Sequence, residues 1–300
     1  CCNECLYHQI KRALKKPAPY SMSIKADRAT RRVAISVEYD GTGYRGWQAQ
    51  KHDTQVVQSQ VEKALSQIAD EPVQVTCSGR TDSGVHASSQ VCHFDTHAER
   101  DPYNWVMGVN TQLPNDVSLA WAKEVDTAFH ARFSARSRQY VYLIQLSGIR
   151  GALLRNQMTF THKELDAQLM AQAGRWLVGA HDFNAYRSTQ CQAKTSVRTL
   201  MQLNVHQHDN VIAVHVEANG FLQNMVRNIV GVLTAIGARE ASVDWSRDVL
   251  DSKDRTQGGV TAPPDGLYFL GPTYHSEFDL VETVRIPQIA RDILRTDPLQ

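Results

Sequence analysis

Val33-Ala-Ile-Ser-Val-Glu-Tyr-Asp-Gly41 opens the first periodic segment of the chain. Val33, Ile35, Val37 and Tyr39 alternate with Ala34, Ser36, Glu38 and Asp40, a period of two that marks a half-buried strand, and Asp40-Gly41 ends it in a turn. After a polar loop, Val57, Val61, Ala64, Leu65 and Ile68 recur at helical spacing, with Thr54 as a candidate N-cap. Strands follow at 72–78 and 89–95. Asp101-Pro102 forms a cap and first-turn pair that opens a helix through about Gln112, and Val117 to Val125 returns as a strand.

The order is β-α-β-β-α-β, the split ferredoxin-like arrangement. The second half repeats it: a strand at 138–146, a helix near 163–178, strands near 197–207 and 211–218, a helix at 221–237 and a strand at 266–271, with an added helix over 242–252. In each half one pair of strands connects directly without a helix, which argues against a doubly wound parallel sheet. The expected fold class is α+β: two ferredoxin-like, RRM-like repeats whose antiparallel sheets flank a central cleft. Residues 1–30 read as a disordered N-terminal extension, 31–128 as the first repeat, 129–275 as the second, and 276–300 as a C-terminal tail.

Three hundred residues, 42% hydrophobic and 21% charged, can bury a sizeable core, which excludes disorder as the main state. The longest apolar stretch, Asn224 to Ala238, is broken by Arg227 and Asn228, and falls short of the roughly 18 to 20 residues that span a bilayer. Lys11, Arg12, Lys15 and Lys16 lie among polar residues, with no apolar core of a secretory signal. A cytoplasmic protein away from the membrane is expected. Its six cysteines form no disulfide pattern, and a reducing compartment fits. Cys2, Cys5 and His8 have ligand-like spacing but no second ligand pair nearby. Met22 precedes the first periodic segment, so residues 1–21 are expected to be dispensable.

The formal net charge of +1 conceals an uneven distribution. Ten Lys/Arg face three acidic residues between 130 and 200, whereas six face eleven between 240 and 300. A positive face on a neutral protein points to a polyanionic partner. The boundary segment Phe129-His-Ala-Arg-Phe-Ser-Ala-Arg-Ser-Arg138 carries three arginines between and beyond two aromatics, at the expected entrance to the cleft.

Three motifs mislead. Gly41-Thr-Gly43-Tyr-Arg-Gly46 matches a dinucleotide fingerprint, but the helical periodicity starts only near Gln55, too late for its last glycine to sit on a helix N-terminus. It reads better as a loop relieving the backbone around Tyr44 and Trp47. Asp82-Ser83-Gly84 resembles an aspartic-protease triplet without the second copy that chemistry needs. His130, His181, His206, His208 and His215 are scattered without metal-ligand spacing.

Cys77-Ser-Gly-Arg-Thr-Asp-Ser-Gly-Val-His-Ala87 is more informative. A strand runs into a loop where Gly79 and Gly84 flank Arg80 and Asp82, presenting a cation and a carboxylate on an open turn. An Asp-capped turn with a local ion pair is the plain alternative. The run Gly79–Ala87 resembles the signature of the TruA-type tRNA pseudouridine synthases. Tyr39–Gln48, Phe129–Ser134, Arg138–Tyr142, His181-Asp-Phe183, Met225–Gly231 and Gly266-Leu-Tyr268 resemble that family too, in its order, over about Arg32 to Tyr274. Ser83 departs from the family's usual alanine, and the N-terminal extension and the tail beyond Tyr274 lie outside the resemblance.

The resemblance implies an isomerase that converts uridine to pseudouridine at nucleotides 38 to 40, in the anticodon stem-loop of tRNA, without cofactor or metal. It implies that Asp82 is the catalytic aspartate, as nucleophile or base, and that Arg227 pairs with it. Tyr140 corresponds to a tyrosine that stacks on the target base, Arg80 to an arginine that enters the RNA and helps hold the flipped base, and Leu267 to an apolar wall. Arg132, Arg136 and Arg138 are expected to share phosphate contacts, and a homodimer is implied. A non-catalytic tRNA-binding protein or RNA chaperone has no need for Asp82 and Arg227 together. An RNA hydrolase would ordinarily need a metal cluster or second acid, and the sequence shows neither.

Overall fold

The structure is a computed structural model that describes residues 29–48 and 55–299. The N-terminal extension with Cys2, Cys5 and His8, and the cap at Thr54, lie outside the described residues. The first half runs β1 (Arg31–Tyr39), α1 (Val57–Ala69), β2 (Thr76–Cys77), β3 (His86–Thr96), α2 (Pro102–Asn110) and β4 (Val117–Val125). The second runs β5 (Ser137–Leu146), β6 (Thr159–Thr161), α3 (Ala167–Gly174), β7 (Gly179–Asp182), β8 (Val197–His208), β9 (Val211–Ala218), α4 (Met225–Gly237), α5 (Trp245–Ser252) and β10 (Leu267–Thr273), followed by the short α6 (Gln288–Arg291). The class is α+β with a mostly antiparallel sheet. No helix among the described residues is long and apolar enough to cross a membrane.

Strand order is β4-β1-β3-β10-β5-β9-β8-β7, with β2 beside β3 and β6 beside β5. Where two separate sheets were expected, the halves merge into one. Tyr268 pairs with His86 and Phe269 with Ala87, in parallel, between β10 and β3. The expected strand over 72–78 shrinks to two residues for a definite reason. Val73 and Val75 are buried, but their N–H groups donate to Ser66 Oγ at 2.9 Å and Glu62 Oε1 at 3.0 Å on α1, instead of to a neighbouring strand.

The two faces of the sheet are covered differently. Val33, Ile35, Val37 and Tyr39 of β1, with Tyr140, Tyr142 and Ile144 of β5, pack against apolar stripes of α1–α5. These stripes recur at the spacing that sets one helix face toward a core. On the opposite face, Val141, Leu143 and Leu270 meet Ala290 and Ile293, while Ala34 and Val91 meet Phe129 and Ala131. The C-terminal segment is therefore packed on the sheet: Arg285 N–H donates to Leu270 O at 2.9 Å and Leu299 N–H to Val205 O at 2.8 Å.

Helix α4 starts at Met225, later than the periodicity implies, because Asn224 takes a left-handed conformation with φ 61°. Its Gly231 faces the loop before β10, and a Cβ there would lie 1.9 Å from Val260 O. Replacing glycine by alanine inside a helix ordinarily gains ~1 kcal/mol. Here the clash is with backbone, and overpacking costs ~1–3 kcal/mol. Gly231→Ala is expected to lower the urea midpoint; an unchanged or raised midpoint would show that this loop yields freely.

Candidate active site

Asp82 lies on the loop between β2 and β3, and that loop is held mainly by other segments. Gln90, fully buried on β3, accepts from Ser78 Oγ at 2.8 Å and donates to Gly79 O at 2.5 Å. Tyr39 OH pairs with Thr81 Oγ1 at 2.7 Å, and Trp47 N–H donates to Thr81 O at 3.1 Å. Tyr44 O accepts from Gly84 N–H at 3.2 Å and from Ser83 Oγ at 3.3 Å. Ser83, the departure from the family pattern, thus adds a bond to the same bracing loop.

Of the two flanking glycines, only Gly84 has a left-handed backbone, at φ +79°. A side chain there would also meet Pro264 Cγ at 2.8 Å, so a segment from the second half closes on the loop. His86 ends the loop, buried and stacked on Tyr268 at 4.7 Å between centroids. Its Nδ1 accepts from Gly41 N–H at 3.1 Å, while Nε2 faces the Asn156 carbonyl at 2.7 Å.

Burial pushes the Asp82 carboxyl above its ordinary value, the largest influence on it; the Arg227 charge and the backbone N–H of Asn224 pull it back. The last of these comes from the head of α4, where a helix favours negative charge. Arg227 does not touch the carboxylate. Its Nε donates to Ala262 O at 2.7 Å and Nη1 to Asn224 Oδ1 at 3.2 Å, and no salt bridge joins Arg227 to Asp82 among the described residues. The pairing is thus through space, and the guanidinium is held by the loop before β10. That loop is fixed in turn by Arg255, which donates to Asn228 Oδ1, Gly259 O and Thr261 Oγ1 at 3.0–3.1 Å.

Tyr140 is 8% exposed, set edge-on to Phe221 at 5.0 Å and beside Phe269 at 4.9 Å. Burial, and then the Asp82 charge, raise its phenol, so the hydroxyl stays protonated. Leu267 is buried in the same core, opposite Tyr142 across β10 and β5. Arg80 is exposed, as are Arg132 and Arg136.

Arg138 differs from the two arginines with which it was grouped. Nε donates to Ser78 O at 3.4 Å, Nη1 to Ala135 O and Asn219 O at 3.2 and 3.1 Å, and Nη2 to Ser78 O and Arg132 O at 3.1 and 2.5 Å. Those contacts use all five donors of a guanidinium. No N–H remains for a phosphate, and the side chain instead ties the root of the Asp82 loop to the linker and to the end of β9. Sequence spacing alone cannot separate this arginine from Arg132 and Arg136. Gln90, Asn224 and Phe269 also escaped the sequence reading, since a strand glutamine, a cap asparagine and a core phenylalanine carry no motif of their own.

A half-buried carboxylate steadied by a nearby cation and a backbone N–H is an arrangement found at catalytic sites. The comparisons agree. A family model described as tRNA pseudouridine synthase matches residues 35–134 and 173–275. The tRNA pseudouridine synthase A of Coxiella burnetii is 47% identical over 83% of this chain and 95% of its own. That of Pseudomonas aeruginosa is 48% identical over 84% and 88%, and that of Methylococcus capsulatus 44% over 89% and 98%. The chain belongs to the tRNA pseudouridine synthase family, enzymes that isomerise uridine in tRNA to pseudouridine.

The raised Asp82 carboxyl makes a prediction about stability. The folded protein binds this proton more tightly than the unfolded chain, so stability is lost as pH rises from the ordinary carboxylate value through the raised one. Asp82→Asn, which stays neutral, is expected to melt above the parent at pH 7, with the gap closing as pH falls through that interval. Thermal midpoints of both proteins across the acid range check this, and equal midpoints at pH 7 would refute it.

Proposed function

We propose that this chain forms pseudouridine at nucleotides 38 to 40 in the anticodon stem-loop of tRNA, with Asp82 as the catalytic carboxylate and no cofactor. The observation that carries the reading is Asp82 itself: half-buried, costly to ionise, and offset by Arg227 and the Asn224 N–H. Isomerisation of an N-glycoside to a C-glycoside requires the base to detach, rotate and rejoin. The enzyme must take the base out of its stack and hold both fragments away from water. Asp82 then acts on the sugar or base as nucleophile, or removes a sugar proton as base.

Arg227 keeps that carboxylate ionised against its burial. Tyr140 stacks on the target base, replacing part of the lost base stacking, ~1–3 kcal/mol per base. Its ring is mostly covered, so the half-buried Phe221 must give way as the base enters. Leu267 forms the apolar wall. Arg80 enters the RNA and helps hold the flipped nucleotide, and Arg132 and Arg136 contact phosphates, with Arg138 as the clamp behind them. We read the halves as two ferredoxin-like repeats, 31–128 and 129–275. The orders β4-β1-β3-β2 and β10-β5-β9-β8 support this, because each is the same permutation of its own four principal strands. A cytoplasmic homodimer completes the reading, one copy gripping the tRNA body while the other's Asp82 meets the anticodon arm.

Pseudouridine formation in tRNA from a deletion strain is the decisive assay. Purified Asp82→Ala is expected to lose turnover by at least roughly a hundredfold with tRNA affinity little changed. Substantial residual turnover would remove Asp82 from the chemistry.

Tyr140 is tested separately. No hydrogen bond holds its hydroxyl among the described residues, so Tyr140→Phe keeps the ring, breaks nothing, and is expected to bind tRNA almost normally. Tyr140→Leu should lose both target-base affinity and single-turnover rate. Equal rates for the two variants would exclude stacking as its role.

A further inference from the structure

We propose that the exposed ring of Phe133, with the Arg132 guanidinium beside it, is a stacking platform for a second, unpaired nucleobase of the bound RNA, next to the target nucleotide. This rests on the reading of the chain as an enzyme acting on tRNA. The observation is a contrast between a heavily fixed backbone and two side chains that serve nothing in the fold.

Residues 130–134 form a turn with its polar groups engaged. Ser134 N–H donates to His130 O at 2.9 Å, and His130 N–H to Ser134 Oγ at 3.0 Å. The N–H groups of Arg132 and Phe133 both donate to His130 Nδ1 at 3.2 Å. Ala131 N–H donates to His93 Nδ1 at 3.1 Å, and Tyr274 OH to Ala131 O at 2.7 Å. Phe129 and Ala131, both fully buried, anchor the turn on the sheet. Yet Phe133 is 76% exposed. Its ring leans on His130 at 4.3 Å between centroids, and the Arg132 guanidinium carbon lies 5.7 Å from the ring centre.

A single exposed apolar side chain is ordinary on a protein surface. This one is set apart by what surrounds it. Neither Arg132 nor Arg136 has a carboxylate partner among the described residues, so the ring sits in unneutralised positive charge. A π-face beside a planar guanidinium matches a base joined to its phosphate, and a fixed backbone spares the ordering cost of binding.

Arg138 links the platform to the Asp82 loop. One guanidinium holds Arg132 O and Ser78 O together, so the platform and the root of the Asp82 loop share a clamp. A base on Phe133 is thus held by the same clamp that anchors the loop of Asp82. Stacking it there keeps the strand in register while the target is turned out.

The test uses the full chain and an anticodon stem-loop RNA with 2-aminopurine substituted, one position at a time, beside the target uridine. Wild-type protein is expected to quench the fluorescence at one such position. Phe133→Ala should abolish that quench and weaken binding roughly tenfold. Phe133→Tyr should restore both, with thermal midpoints unchanged because the ring is outside the core. Unchanged quenching and affinity in Phe133→Ala would overturn the platform. So would a loss of dimer mass in sedimentation with RNA affinity intact, which would assign the ring to contact with a second copy. Failure of wild-type protein to modify tRNA at all would instead overturn the function on which the inference rests, and is read in the same preparations.

Discussion

Two residue pairs, His86 with Tyr268 and Ala87 with Phe269, join the halves of the sheet, and the site is arranged around that short parallel seam. Parallel pairing is slightly weaker per residue than antiparallel pairing, and two pairs alone are a slender join between two halves. The seam is reinforced by contacts that cross it elsewhere. Ser88 Oγ donates to Arg285 O from the C-terminal segment. His86 reaches the Asn156 and Asp265 carbonyls, Pro264 closes on Gly84, and Arg138 binds Ser78 O from β5. All of these but the Ser88 bond tie the first half, which carries Asp82, to the second, which carries Tyr140 and Arg227. Their spacing is thus fixed by tertiary contacts of long sequence separation.

The electrostatics follow from the same placement. A carboxylate at a covered seam loses hydration, which is why burial dominates the Asp82 proton affinity. A salt bridge in direct contact would offset that more fully, but Arg227 is engaged by Ala262 O and Asn224 Oδ1, leaving Asp82 without a contacting cation among the described residues. Arg138 likewise binds only carbonyl oxygens, and burial lowers its proton affinity. Two half-covered cations without contacting anions among the described residues cost folding free energy. Sites that hold charge ready for a substrate commonly carry such a cost.

Much of the fold was legible because periodicity survives in the sequence: β1, α1, α2, β4, β5, β8 and β9 fall within a few residues of their expected ranges. What failed was decided by tertiary bonding. Val73 and Val75 look like a strand and are buried like one, yet α1 side chains take their N–H groups. Residues 276–299 carry Phe278, Leu280, Val284, Ile289 and Ile293 at no regular spacing, so their packing on the sheet had no periodic signal. At the candidate site, Asp82 stands out in the sequence through its flanking motif. The engagement of Arg138 was not legible, because an arginine bound to four carbonyls has the same neighbours in sequence as one left free.

The glycine loop shows why pattern and meaning separate. A Cβ at Gly41 would fall 2.0 Å from Val85 O, and one at Gly46, where φ is +96°, 2.6 Å from Thr81 O; at Gly43 it would meet nothing within 4 Å. Two of the three glycines in this apparent dinucleotide fingerprint are therefore required by backbone approaching backbone. The approaching backbone is the Asp82 loop itself. A nucleotide-binding loop uses glycine to let a phosphate come close, whereas here the same absence of side chains lets one loop of the protein brace another. The spacing resembles a ligand motif because both tasks impose the same steric demand. What distinguishes them is the helix: a phosphate site needs one starting at the last glycine, and α1 begins only at Val57. The loop that carries Asp82 thus owes its shape to a neighbouring loop that supplies no charged group to it.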